Sequence, residues 1–118
     1  MMSVDFDRVA RFRTIDLTTI GRTSGLPTRI EIWWFRVDGR FIITGTPGRR
    51  DWYANALADP SVTIHVDGLD LVGVAHPVVD REFRMRVFTH PDTGWYATEA
   101  SLHDLVEASP MIEVQFDA

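Results

Sequence analysis

The chain contains neither cysteine nor lysine. Without cysteine there is no thiolate nucleophile, no iron–sulfur cluster and no zinc ribbon, so any metal would fall to four histidines and the carboxylates. The same absence fits a cytoplasmic protein, which is the expected location. Long apolar runs are missing as well. Stretches such as Ile32-Trp33-Trp34-Phe35 are strand-sized, against the roughly 20 residues a bilayer helix requires, so no membrane span is expected. The opening segment Met1 to Arg8 carries Asp5 and Asp7 and no apolar core, which does not read as a secretory signal. With no lysine, all twelve basic side chains are arginine. GC-rich codon usage produces that pattern, and so does selection for planar phosphate-binding forks; only local clusters separate the two. The formal net charge of −5 argues against a nucleic-acid partner.

What is present suits one compact core: 118 residues, 45% of them hydrophobic and 11% aromatic. Residues 1–118 are therefore read as a single domain, since either half alone would be too small to bury a core. Asp16 to Ile20 reads as a strand, followed by the turn formers Gly21 to Pro27. Thr28 to Val37 begins with alternation and becomes apolar on both faces, so something must cover its second face. Asp38-Gly39 predicts a two-residue hairpin into Arg40 to Thr44. After the loop Gly45 to Arg50, Asp51 is a candidate N-cap for a short helix ending at Pro60. Ser61 to Asp67 and Leu69 to Ala75 form a second hairpin, and Met111 to Asp117 a sixth strand. Between them the period lengthens. Phe83 and Val87, then Leu102, Leu105 and Val106, predict two helices split near Pro91 to Gly94.

This order lacks the βαβ rhythm of a parallel sheet. It predicts a mainly β protein with helices, a six-stranded antiparallel barrel. So small a barrel is filled by its own side chains, which leaves a large cofactor outside, in a groove made by loops or by a second subunit. A homodimer is expected, because a small barrel covers only one face of Ile32 to Val37.

His65, His76, His90 and His103 are dispersed without metal-ligand spacing, and no G-x-S-x-G elbow is present, so no metal site or hydrolase machinery is expected. Gly21-Arg22-Thr23-Ser24-Gly25 instead gathers amides, hydroxyls and a guanidinium, chemistry that suits phosphate or carboxylate oxygens as well as a solvated hairpin. Arg29 follows it, and Arg49 and Arg50 occupy the second glycine-containing loop. Trp33, Trp34 and Trp52 offer flat faces for a ring system, for the core or for an interface. Asn55, three residues after Trp52 on the predicted helix, carries an amide that both donates and accepts.

The stretch Leu17-Thr18-Thr19-Ile20-Gly21-Arg22-Thr23-Ser24-Gly25-Leu26-Pro27-Thr28-Arg29, a tryptophan-bearing strand, and then Trp52-Tyr53-Ala54-Asn55-Ala56-Leu57-Ala58-Asp59-Pro60 together resemble the deazaflavin-dependent nitroreductase family. The resemblance covers about residues 15 to 80. It implies a split β-barrel related to flavin-binding pyridoxamine-phosphate-oxidase-like proteins, and coenzyme F-420, a deazaflavin with a phosphate-bearing polyglutamate tail. On this resemblance Gly21, Arg22, Thr23, Ser24, Gly25 and Arg29 would hold the phosphate and tail. Thr44, Gly45, Thr46, Pro47, Arg49 and Arg50, with Trp52 and Asn55, would border the ring and its linker. The implied activity is hydride transfer from reduced F-420 to a quinone, a nitroaromatic or another activated unsaturated acceptor, with Tyr53 or Tyr96 supplying a proton or orienting the acceptor. The chain departs from the family in having Thr23 where a basic residue is common, and in a short Thr46-Pro47-Gly48 loop. FMN as cofactor, or a barrel that sequesters F-420 or FMN without turnover, are the alternative readings.

Overall fold

Apolar alternation resolves into seven antiparallel strands in the computed structural model, which describes residues 4–116. The strands are β1 (Thr14–Ile20), β2 (Pro27–Trp33), β3 (Phe35–Val37), β4 (Arg40–Thr44), β5 (Ser61–Val66), β6 (Leu69–Pro77) and β7 (Met111–Phe116). Helices α1 (Phe6–Val9), α2 (Asp51–Ala58), α3 (Arg81–Phe88) and α4 (Leu102–Ala108) accompany them, with a 3-10 helix over Pro91–Thr98. The result is a mixed α/β protein built on one curled sheet, in the order β2-β1-β5-β6-β7-β4-β3. Met1 to Ser3 and Asp117, included in the expected amino-terminal segment and last strand, lie outside the described residues. Among the described residues no helix is long and apolar enough to cross a membrane.

The seventh strand corrects the expected count of six, and its origin is physical. The strand expected over Thr28 to Val37 breaks at Trp34, and its two halves pair at opposite ends of the sheet, β2 with β1 and β3 with β4. Trp34 leaves the ladder because other partners hold it. Its backbone N–H donates to the Arg13 carbonyl at 3.3 Å, its indole Nε1 donates to the Phe12 carbonyl at 2.7 Å, and its ring stacks on Phe41 at 4.3 Å. One segment thus runs from one sheet edge to the other. Both two-residue hairpin turns use an Asp-Gly pair with positive φ at each residue, Asp38-Gly39 and Asp67-Gly68, as the right-handed strand twist favours.

Two apolar clusters lie on either side of the sheet. Inside the curl, Ile15, Leu17, Trp34, Phe41, Ile43, Ile64, Ile112 and Val114 pack together, and α2 adds Trp52 and Ala56. Outside, Phe35, Val37 and Ile42 are covered by Phe83 and Val87 of α3, by Tyr96, and by Leu105 and Val106 of α4. The apolar face of β3, Phe35 and Val37, is therefore covered within the chain, while Trp33 at the end of β2 stays 40% exposed. Helix ends differ slightly from expectation. Arg50, rather than Asp51, occupies the N-cap of α2, and Leu57 faces solvent. The expected break at Pro91 is itself a 3-10 helix, capped by the His90 ring accepting from the Asp92 N–H. Asp5 caps α1, a single turn that the sequence reading lacked.

Candidate functional site

The loop after β1 is a closed turn. Gly21 N–H donates to the Leu26 carbonyl and Gly25 N–H to the Gly21 carbonyl, both at 2.8 Å, while Ser24 Oγ accepts from Leu26 N–H at 3.1 Å. A Cβ at position 21 would stand 2.5 Å from Ser24 Oγ, so a larger residue there would displace the Ser24 hydroxyl from Leu26 N–H. Helix α2 fixes the loop's orientation through Asn55. Its Oδ1 accepts from the Arg22 backbone N–H at 3.1 Å and from Arg22 Nη1 at 2.8 Å, and its Nδ2 donates to Thr19 Oγ1 at 3.3 Å. Arg22 Nη2 also reaches the exposed Asp51 carboxylate at 3.2 Å. Thr23, Ser24 and Gly25 stay exposed. Arg29 goes elsewhere: it lies opposite Thr18 on the outer sheet face and its Nε donates to Asp16 at 2.8 Å.

The second loop wraps around a guanidinium. Arg50 Nη2 donates to the Thr46 carbonyl at 3.2 Å and to Thr46 Oγ1 at 3.0 Å, and Nη1 donates to the Arg49 carbonyl at 3.1 Å. Gly48, with φ +138°, lies so close that a Cβ would stand 2.8 Å from Arg50 Nη1. Arg49 is exposed. Thr44, where β4 ends, is buried. Its hydroxyl donates to the Pro110 carbonyl, and its own carbonyl accepts from the Tyr96 hydroxyl at 3.3 Å. Burial pushes the Tyr96 phenol up to about 12, against a smaller opposing effect of the Arg50 cation. Tyr96 is stacked on Trp95, at 3.9 Å between ring centres.

Trp52 and Asn55 do share a helix face, and that face is turned inward. Trp52 is 7% exposed and belongs to the inner cluster, and Asn55 is 4% exposed. Asn55 therefore acts on the site through Arg22. Tyr53 packs against the inner cluster as well, edge-on to Trp52 with 5.8 Å between ring centres, and it also lines a cavity of about 370 Å³ whose wall includes Gly48, Val78, Val79, Arg84, Ser109 and Pro110. Its hydroxyl has no hydrogen-bond partner among the described residues.

Two buried polar residues of this wall escaped the sequence reading. Arg84 is buried and donates from Nε to the Val106 carbonyl, from Nη1 to that of Val78 and from Nη2 to that of Ser109, at 2.6, 2.8 and 2.6 Å. Desolvation lowers its pKa from the usual arginine range. Its sequence signal was its place three and four residues before Val87 and Phe88, on the apolar stripe of α3. Ser109 is 4% exposed, and its Oγ has no partner among the described residues. Such an orphaned hydroxyl costs about 1–3 kcal/mol.

A family model, that of the F-420H(2)-dependent quinone reductases, matches residues 6–104. The chain belongs to this family. No curated protein matches the sequence. Among solved structures, an F-420-H2 dependent reductase (FDR-A) is 20% identical with a TM-score of 0.63, over 87% of this chain and 94% of that one. A putative pyridoxamine 5'-phosphate oxidase from Listeria innocua is 12% identical with a TM-score of 0.70, covering 96% and 90%. HutZ, described as a heme storage protein, from Vibrio cholerae, is 15% identical with a TM-score of 0.67, covering 96% and 88%. These likenesses establish the split-barrel fold.

The F-420 of this quinone reductase family is a polyanion, and the donor set fits one. Arg22 reaches Asp51 at the start of α2, and Arg49 and Arg50 immediately precede that residue in the chain, in a protein that is acidic overall. Exposed loop residues beside Arg22 leave room for phosphate oxygens. Among the described residues no group of three or more histidines and carboxylates is placed to hold a metal ion.

Proposed function

We propose that this protein is an oxidoreductase that moves a hydride from reduced F-420 to a quinone, nitroaromatic or other activated unsaturated acceptor. The observation that carries this reading is the Asn55-held Arg22 loop beside Arg49 and Arg50, a prebuilt cationic cradle in an acidic chain. Gly21, Arg22, Thr23, Ser24 and Gly25 would take the phosphate, with Arg29 further along the tail. Thr44, Gly45, Thr46, Pro47, Arg49 and Arg50 would border the ring, with Asn55 acting through Arg22 and Trp52 holding α2 on the inner cluster. Bound and reduced, F-420 supplies the hydride. The chain supplies orientation: Asn55 fixes Arg22, Arg50 rigidifies its own loop, and Tyr96 braces the end of β4. Tyr53, with its free hydroxyl in the cavity wall, is the better placed of the two tyrosines to hand over a proton, since Tyr96 is bonded to a carbonyl and its pKa is raised.

The test is a fluorescence titration with F-420 beside one with FMN, followed by oxidation of reduced F-420 with menadione. F-420 should bind more tightly than FMN, and Arg22→Ala should weaken F-420 by about 1.5–3 kcal/mol while leaving the fold intact. Tight binding without oxidation across quinones and nitroaromatics would return the chain to a sequestering role. We further expect a cytoplasmic homodimer. A neighbouring fold, 20% identical with a TM-score of 0.63, is described as a domain-swapped dimer, and a monomeric mass in light scattering would remove that part of the reading.

A further inference from the structure

The curled sheet leaves one long edge open. β2 stands at one end of the strand order and pairs only with β1 among the described residues. The ladder with β1 fixes which of its backbone groups look outward. Gly21 N–H donates to the Leu26 carbonyl and Trp34 N–H to the Arg13 carbonyl, and both contacts continue the β1–β2 register, one beyond each end of it. Opposed residues of an antiparallel ladder alternate between bonded and unbonded pairs, so the even-numbered residues of β2 turn their N–H and C=O groups to β1. Those of Arg29, Glu31 and Trp33, with the Pro27 carbonyl, face away from the sheet. All four of these residues are exposed. An open edge of this length is a template for another strand.

We infer that β2 pairs antiparallel with β2 of a second copy about a two-fold axis at Ile30, so that Arg29 lies opposite the partner's Glu31. The inference rests on the reading of the protein as a homodimer and names its interface. Charge selects the register. Bonded pairs across this edge must join the outward, odd-numbered residues, and a slide of two residues either way sets Arg29 against the partner's Arg29 or Glu31 against the partner's Glu31. Only the register centred on Ile30 brings the opposite charges together, twice by symmetry. In it Arg29 and the partner's Glu31 exchange both backbone bonds, and Trp33 N–H donates to the partner's Pro27 carbonyl, the one group a proline offers. Both charged side chains have capacity left: Arg29 bonds Asp16 through Nε, and Glu31 accepts only from Thr14 Oγ1, at 3.4 Å. The pairing also reaches the phosphate loop. The partner's Trp33 comes to stand opposite Pro27, where the Gly21–Leu26 turn ends, so each copy sets an exposed indole beside the other's Arg22 loop.

Sedimentation velocity and single-cysteine cross-linking of the full chain test this. In the paired dimer Ile30 faces the partner's Ile30 across an unbonded pair, where Cα atoms lie about 4.5 Å apart, within the span of a disulfide. The chain has no cysteine, so Ile30→Cys supplies one thiol per copy. Oxidation should link most of that variant into a covalent dimer and leave Thr28→Cys, which faces the partner's Ile32, largely unlinked. Arg29→Glu and Glu31→Arg should each weaken self-association by roughly 10-fold, and an equimolar mixture of the two should recover it. Glu31→Pro removes an outward N–H and no bond to β1, so it should keep a native circular dichroism spectrum and sediment as a monomer. A dimer unmoved by both charge reversals and by Glu31→Pro keeps the homodimer reading and overturns this interface. Self-linking of Thr28→Cys in place of Ile30→Cys overturns the register. A monomeric wild type overturns the homodimer and the interface together, and leaves the reductase reading to the F-420 titration.

Discussion

The two faces of β4 look onto layers of different character. Inward, Phe41 and Ile43 join a largely hydrocarbon cluster supplied by alternating strand residues, and the buried polar groups on that side, Asn55 and Thr19, bond each other. Outward, Ile42 meets a helical layer that also buries Arg84, Thr93 and Ser109. Hydrocarbon contacts are non-directional and tolerate exchange, whereas buried polar groups have to be matched atom by atom. The inner layer therefore holds the fold together. The outer layer fixes the positions of Val78, Val106 and Ser109, three residues of the cavity wall, through one guanidinium.

Substitutions on each side can break this contrast. The largest effect should come from inside: Phe41→Ala removes a fully buried ring stacked on Trp34 and should cost about 3–5 kcal/mol in urea unfolding. A cost below about 1 kcal/mol would mean that the inner layer is not the main support. Next comes Arg84→Met, which keeps much of the side-chain length but strands three buried carbonyls. It should cost about 2–4 kcal/mol and loosen the cavity, read as faster hydrogen exchange at Val106 and Ser109. If stability rose instead, Arg84 would not be organising this layer.

Tyr96 supplies a pH arm. Its folded pKa is raised to about 12 from the usual 10.0, so the unfolded chain loses the phenolic proton first as pH rises. The contribution is fully present below pH 10 and is lost between about pH 10 and 12, some 2 kcal/mol in all. Tyr96→Phe should flatten the stability profile in that window, and an unaltered slope would place the titration elsewhere. The smallest effect belongs to Ser109→Ala. Deleting an unpartnered buried hydroxyl should leave stability unchanged or raise it by up to about 1 kcal/mol, whereas a loss above that would show that the hydroxyl has a partner within the protein.

Much of this was legible in one dimension. The hairpin at Asp38-Gly39, the alternation of Val62, Ile64 and Val66, and the helix closed by Pro60 follow from local chemistry, and the structure has all three. The loop motif around Arg22 and the α2 motif around Asn55 pointed to each other only through a family resemblance, and the direct bond between those two residues appears first in the fold. Trp52 offers a flat face for a ring, for the core or for an interface, and only the fold chooses the inner cluster, because helical spacing says which residues share a face and not which way that face points.

The sequence by itself determined the absence of cysteine, the antiparallel elements and two arginine-bearing loops, since period, turn chemistry and composition act over a few residues. Tertiary structure alone decided that one strand would split at Trp34 to serve both sheet edges, that Phe35 and Val37 of β3 would be covered by α3, α4 and the 3-10 helix, and that Arg84 and Ser109 would line a cavity with Tyr53. Each of these depends on residues tens of positions apart competing for the same hydrogen bonds and the same buried surface, and that competition is settled only when the whole chain packs.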